Sequence, residues 1–341
     1  MAQSPKQSPD RQPRFDSETF IPRRGMRNPH AQTLLGNFLP RQRLLPASED
    51  RLFQVEDGIQ VLCHCNWQPG EQKHSALTVI IVHGLEGSAE SQYVIGTGSK
   101  AWTAGMNVVR MNMRNCGGTE KLTPTLYHSG LSADVGAVAQ SLVQNDGLRR
   151  IALVGYSMGG NLVLKLAGDL ADSAPPELRA AVGVSPAMDL APSADALSRG
   201  ANRMYEWRFL RGLRRRYFRK ALLFPDRYEL KYLKRLRTIR EFDDQITARY
   251  SGFTGADDYY ARASASRVAE KISIPTLVIH AQDDPFIRML PETRAKLLAN
   301  PHVRLVETEH GGHCAFLAEP NGYDGRWAEQ KCVEFLRAFA H

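Results

Sequence analysis

Eight short apolar runs, separated for the most part by helix-length segments, constrain this chain more than any other feature. They fall at residues 52–55, 59–65, 77–82, 106–111, 151–154, 180–184, 276–280 and 303–307. Runs this short and this rich in Val, Ile and Leu read as strands, and the later ones lack the polar alternation of a half-exposed sheet. Segments 89–104, 131–144, 160–171, 291–299 and 326–340 carry apolar residues at helical spacing instead. Strands that alternate with helices pair in parallel through right-handed crossovers, which puts helices on both faces of the sheet. Asp57-Gly58 between the first two runs is a hairpin signal, so that pair is antiparallel. The expectation is an α/β fold with a mostly parallel eight-stranded sheet and an antiparallel edge.

One interval breaks the rhythm. Between the sixth run and Ile274-Pro275 lie about ninety residues without a convincing strand. A connection that long is rarely a bare loop, so a helical cap inserted at about 187–270 is expected. Residues 1–16 are polar and rich in Gln, Pro and Arg, and read as a disordered lead-in to a single domain over 17–341. They lack the apolar centre of a signal peptide, and no stretch approaches the roughly 18 apolar residues of a membrane span. The five cysteines, Cys63, Cys65, Cys116, Cys314 and Cys332, are odd in number and scattered, which fits a reducing, cytoplasmic setting. Cys63 and Cys65 alternate along a strand and read as packed thiols. Metal-ligand spacings are absent, and no cofactor is expected.

The net charge of +8 is concentrated in one place. Residues 199–240 hold fifteen Lys and Arg against Glu206, Asp226 and Glu229, a local charge of +12 that leaves −4 for the rest. Interleaved Tyr205, Trp207, Phe209, Leu210, Tyr217 and Phe218 make the segment basic and amphipathic. A solvated helical face is the simplest reading, peripheral contact with an anionic membrane the next, and a nucleic-acid partner is not expected.

The stretch LVGYSMGGN, residues 153–161, puts Ser157 between Gly155 and Gly159 where an apolar run meets a helical pattern. That context is what gives G-x-S-x-G meaning as a nucleophile elbow: the serine is held in a strained turn with its hydroxyl above the sheet. The pattern alone is weak, since a chain of this length meets it by chance roughly one time in ten. Ser185 also follows a run but lacks the second glycine, and reads as a loop or capping residue.

A nucleophilic serine needs a base, an orienting carboxylate and donors for an oxyanion, gathered at the carboxyl ends of the strands. His313 in ETEHGGHCAF suits the base, because two glycines let that loop curl back, while His310 supports the loop. Asp283 and Asp284 in VIHAQDDPF are the carboxylate candidates, and neighbours cannot both address one imidazole. The backbone amides of Leu85, in IIVHGLEGS, and of Met158, after the serine, suit the oxyanion. His83 reads as a hydrogen-bonding support rather than a second base. The glycines there are not a phosphate loop, because its Lys and Ser/Thr are missing.

Taken together, NPHAQTLLGNFLPR, HGLEGS, MRNCGGT with YHSG, GYSMGGN, TIREFDD with GFTGADDYY, DDPF and HGGHCAF resemble, in order, the YheT-like branch of the α/β-hydrolase superfamily. The resemblance runs from about Phe20 to the C-terminus and implies a serine esterase or lipase with Ser157, Asp284 and His313 as its triad. Asp284, four residues beyond His280, has the offset usual for this turn in that fold, which leaves Asp283 to cap the turn. Asn115 departs from the family, where glycine more often follows the arginine. The implied substrate is a small-molecule ester of short or medium acyl chain or lipid-like character. Acyl transfer to an alcohol is the alternative chemistry, and a membrane-surface or nucleic-acid binding module using the basic cap the alternative class.

Overall fold

A computed structural model describes residues 20–234 and 236–340; the expected lead-in at 1–16 lies outside them. All eight apolar runs are strands of one sheet: β1 (Glu49–Glu56), β2 (Ile59–Asn66), β3 (Thr78–Val82), β4 (Asn107–Met111), β5 (Ile151–Tyr156), β6 (Leu178–Val184), β7 (Thr276–Ala281) and β8 (Val303–Thr308). Their spatial order is β1-β2-β4-β3-β5-β6-β7-β8. β1 and β2 form the expected hairpin through Gly58 at φ 68°, and β2 pairs antiparallel with β4. From β4 onward every pair is parallel.

Alternation within the central strands explains why both faces are covered. On β3, Ile80 and Val82 point into one core layer with Val135, Val138, Leu162 and Leu166, while Val79 and Ile81 point into the other with Val94, Phe316, Trp327 and Leu336. Each central strand therefore buries both sides, and continuous apolar runs are the sequence consequence. Helices Ser132–Asp146 and Met158–Leu170 cover the first face, and Gln92–Thr103 and Trp327–Arg337 the second.

Between β6 and β7 the described residues form helices and no strand. Leu190–Leu197 is followed by the long Arg203–Leu223 helix, then Ile239–Phe242, which runs into a π-helical turn at Asp243–Ala248, and then Ala256–Ala263. Residues of these helices face the turns after β3, β5, β7 and β8 across a cavity of about 700 Å³. Most described cations of the basic segment form the solvated face expected of it, and two turn inward. Arg216 pairs with Glu86 at 3.0 Å and also donates to the Asn115 carbonyl, and fully buried Lys220 donates to the carbonyls of Glu120 and Thr123. Arg219 and Arg240 pair with Glu120 and Asp195. Among the described residues, no helix is long and apolar enough to cross a membrane.

Candidate active site

Ser157 ends β5 and begins the Met158–Leu170 helix at φ 55°, ψ −116°, a conformation that costs a non-glycine residue free energy. The surrounding structure imposes it. The Ser157 N–H donates to the Val184 carbonyl at 2.9 Å, and its own carbonyl accepts from Ala187 at 3.1 Å. The two flanking glycines are needed for space: a Cβ on Gly155 would strike the Gly159 carbonyl, and one on Gly159 would strike the Val82 and His83 carbonyls.

The turn after β3 packs directly on this elbow. His83 is fully buried, donates from Nδ1 to the Gly84 carbonyl at 2.8 Å and accepts the Met113 N–H at Nε2, 3.2 Å away. Burial lowers its pKa to about 4, so the imidazole is neutral and can play both parts. It acts as the expected support. Among the described residues, neither the Leu85 nor the Met158 N–H meets an acceptor. Both residues line the cavity beside Ser157, and the Met158 amide is an unsatisfied donor of a helix N-terminus.

Asp284 follows β7 and is 1% exposed. One carboxylate oxygen accepts from the Phe286 and Ile287 amides at 3.1 and 2.8 Å, and the other accepts from His313 Nδ1 at 2.8 Å. This leaves His313 Nε2 as the nitrogen facing outward, where it lies 3.5 Å from Cys314 Sγ. Burial disfavours the charged imidazole, but Cys314 and Asp284 together outweigh it and raise the His313 pKa above the ordinary value. Ser157 and His313 line the same cavity, yet no hydrogen bond joins them among the described residues. Such bonds often tighten only once substrate is bound.

Asp283 has a different task from the one its position suggests. It does not cap its own turn, because Asp284 already accepts those amides. Instead it reaches across to the histidine loop, accepting from the Gly312 N–H at 2.9 Å and lying 3.3 Å from His310 Nδ1. Ser185 also has more than a local role. It is fully buried at φ 44°, and its hydroxyl accepts from the Cys314 N–H at 3.1 Å, tying the same loop to the end of β6.

The histidine loop has a third support that periodicity did not bring out. Helix Pro29–Phe38, capped by Asn28 with Pro at its first position, presents Thr33 to the His313 N–H at 2.9 Å. Gln32 beside it accepts from Leu317 at 2.7 Å. Asn-Pro is a helix-start signal, so the helix was readable, but its packing partner was not.

A family model described as the alpha/beta hydrolase fold matches residues 78–320. The chain is 34% identical over 327 residues to YheT of Escherichia coli (strain K12), which carries an esterase name; the match covers 95% of this chain and 94% of that protein. It is 30% identical to a monoacylglycerol lipase of Saccharomyces cerevisiae over 76% of this chain and 59% of that protein. An esterase structure from Pyrococcus furiosus superposes with a TM-score of 0.57 at 16% identity, over 89% of this chain and 100% of that one. The last likeness speaks for the fold, and the first two for lineage. With its eight-stranded sheet and its strand-to-helix elbow, the chain belongs to the α/β-hydrolase family, in the YheT-like branch.

Proposed function

We propose that this protein is a serine hydrolase that cleaves carboxylic esters of small molecules through an acyl-enzyme. Ser157 attacks the ester carbonyl, His313 Nε2 takes the serine proton and returns it to the leaving alcohol, and Asp284 holds the imidazole in the required tautomer. The amides of Leu85 and Met158 stabilise the oxyanion, and water then releases the acid. The observation that carries this reading is the Asp284–His313 bond of 2.8 Å, which turns Nε2, with the weak partner Cys314 Sγ at 3.5 Å, to the chemistry at the cavity that Ser157 also lines. The helices between β6 and β7 form a cap that shields this cavity. Its apolar lining, including Leu126, Leu190, Leu197, Leu213 and Phe286, suits an acyl chain. A panel of p-nitrophenyl esters from acetate to palmitate, run on wild type and Ser157→Ala, tests it. Serine-dependent hydrolysis with an optimum in chain length is expected, and hydrolysis that survives the substitution overturns it.

A second reading concerns the cavity mouth. Trp207 and Met204 line it while 62% and 51% exposed, next to Arg208, and the Arg211 guanidinium lies 5.4 Å from the Trp207 ring. Apolar side chains flanked by cations suit the surface of an anionic membrane, so we infer peripheral contact through this rim rather than through the whole basic segment.

A further inference from the structure

The TIREFDD and GFTGADDYY stretches are not used by the proposed chemistry, although they lie in the helical connection that closes the cavity. Most of their polar groups serve local turns. Thr238 and Glu241 form a capping box, Asp244 accepts from the Ala256 N–H at 3.1 Å, and Asp258 accepts from the Thr254 N–H at 3.0 Å. Arg240 pairs with Asp195 and Asp257. Asp243 is different.

Asp243 opens the π-helical turn Asp243–Ala248, a geometry that is rare and concentrated at functional sites. Its carboxylate accepts from the Thr247 hydroxyl at 2.8 Å and from the Tyr260 hydroxyl at 2.8 Å. The carboxyl group lies deep in the protein, yet the residue keeps part of its surface, and it lines the cavity together with Thr247, Tyr259 and Tyr260. A carboxylate offers about four acceptor sites, and these two hydroxyls fill only two. Burial pushes its pKa up to about 6, with Thr247, Tyr260 and Arg240 pulling the other way. A carboxylate at the wall of a largely apolar cavity gains from any further donor that enters.

We propose that Asp243, set by Thr247 and Tyr260, is a hydroxyl-recognition subsite, and that the preferred esters carry a free hydroxyl at a distance from the reacting carbonyl. A neutral donor fits better than an ammonium group. The Arg240 guanidinium, 5.2 Å from the Tyr260 ring, already acts on Asp243, and Arg216 lines the same cavity, so an entering cation would meet two others. A subsite of this type discriminates against substrates that lack the hydroxyl, because the remaining acceptor sites of the buried carboxylate then stay unfilled. The inference rests on the ester-hydrolase reading and adds the substrate class to it.

The hydroxyl could sit on either side of the ester, and two matched pairs separate the sources. Monooctanoylglycerol against ethyl octanoate places it on the alcohol. Ethyl 10-hydroxydecanoate against ethyl decanoate places it on the acyl chain. Wild type is expected to prefer the hydroxylated member of one pair by tenfold or more in kcat/KM. Asp243→Asn, which keeps one acceptor oxygen but loses the charge, is expected to lower that ratio severalfold, and Tyr260→Phe to lower it partway, each measured beside a melting temperature. Should Asp243→Asn fail to fold, Thr247→Val, which frees one acceptor site without removing the charge, must still change the ratio. A wild-type ratio near one in both pairs, or variants that slow both members equally, overturns the subsite and leaves Asp243 as a fastener of the turn. Serine-dependent cleavage of the plain ethyl esters checks the underlying hydrolase reading separately.

Discussion

The rim of the sheet and the helices above it are held by different kinds of bond. At the rim, the turns after β3, β5 and β6 are fixed by backbone bonds, Gly87 to Gly84, Ser157 to Val184 and Ser185 to Ile279, and side chains are added at the turn after β7 and the histidine loop. In the helical connection, side chains carry the attachment. Lys220 donates to carbonyls of the loop before helix Ser132–Asp146, Tyr228 donates to the Pro124 carbonyl at 2.5 Å, and Arg216 reaches Glu86. Backbone bonds survive most substitutions, whereas each of these side-chain bonds depends on one residue. A rim built that way can keep one chemistry while the helices above it vary what enters.

The largest effect should come from the rim. Ser157→Ala is expected to lower ester hydrolysis by at least about a thousandfold, since triad members act as a unit. The melting temperature should hardly change, and a fluorophosphonate probe should label wild type alone. Retained labelling would place the nucleophile elsewhere. Asp284→Asn should cost on the order of a thousandfold in kcat, because Asn presents the wrong partner to His313 Nδ1. Asp283→Asn keeps an oxygen for the Gly312 amide and should cost less than about tenfold. If the two variants exchange these outcomes, the histidine takes its orientation from the other acid.

How far these regions could be read in advance follows from the same contrast. The central strands were legible because double-sided burial writes itself as a run of Val, Ile and Leu, the edge hairpin because Asp57-Gly58 marks its turn, and the elbow because crowding at Gly155 and Gly159 admits no side chain. The task of Asp283 was not. It depends on where the Gly312 amide lies in space, 29 residues away in sequence from Asp283. Long-range side-chain bonds leave no periodicity, so Thr33 beneath His313 and Tyr260 beside Asp243 were also silent. Most described cations of residues 199–240 are exposed as their charge suggests, and the two exceptions were silent for a related reason: composition does not tell an exposed arginine from Arg216 or Lys220 turned inward.

A smaller effect tests the neighbour of the base. His313 must be neutral to accept a proton, and its pKa is raised, so kcat/KM should fall as pH drops through a value above the usual 6.5 of histidine. Cys314→Ala removes one of the influences that raise it. The acid limb should then move down towards 6.5, giving severalfold more activity there than wild type has. An unmoved limb would mean that the sulfur does not act on Nε2.

On the helical side, Trp207→Ala and Arg208→Ala should leave p-nitrophenyl acetate hydrolysis intact while weakening retention on phosphatidylserine vesicles severalfold at low salt. Retention should also fall as salt screens the arginines. Equal retention by neutral vesicles, or none at all, would remove the membrane reading and leave the rim as an entrance only.

The smallest expected effect lies at the junction of the two regions. Asn115 stands at φ 65°, where the family more often has glycine, and asparagine is one of the few other residues that accept this conformation readily. Two bonds meet there: its side chain donates to the Thr125 carbonyl at 2.8 Å, and its own carbonyl accepts from Arg216 of the long helix. Asn115→Gly keeps the second bond, because it belongs to the backbone, and relieves the remaining strain, but it loses the first and frees the unfolded chain. These terms nearly cancel, so a change within about 1 kcal/mol is expected, with esterase activity maintained. Asn115→Val cannot take the positive φ without strain and should cost more, about 2 kcal/mol, loosening the seat of Arg216 as well. Chemical denaturation of both variants measures the difference. If valine is tolerated as well as glycine, the bond from Arg216 to this carbonyl does not depend on the backbone conformation of residue 115.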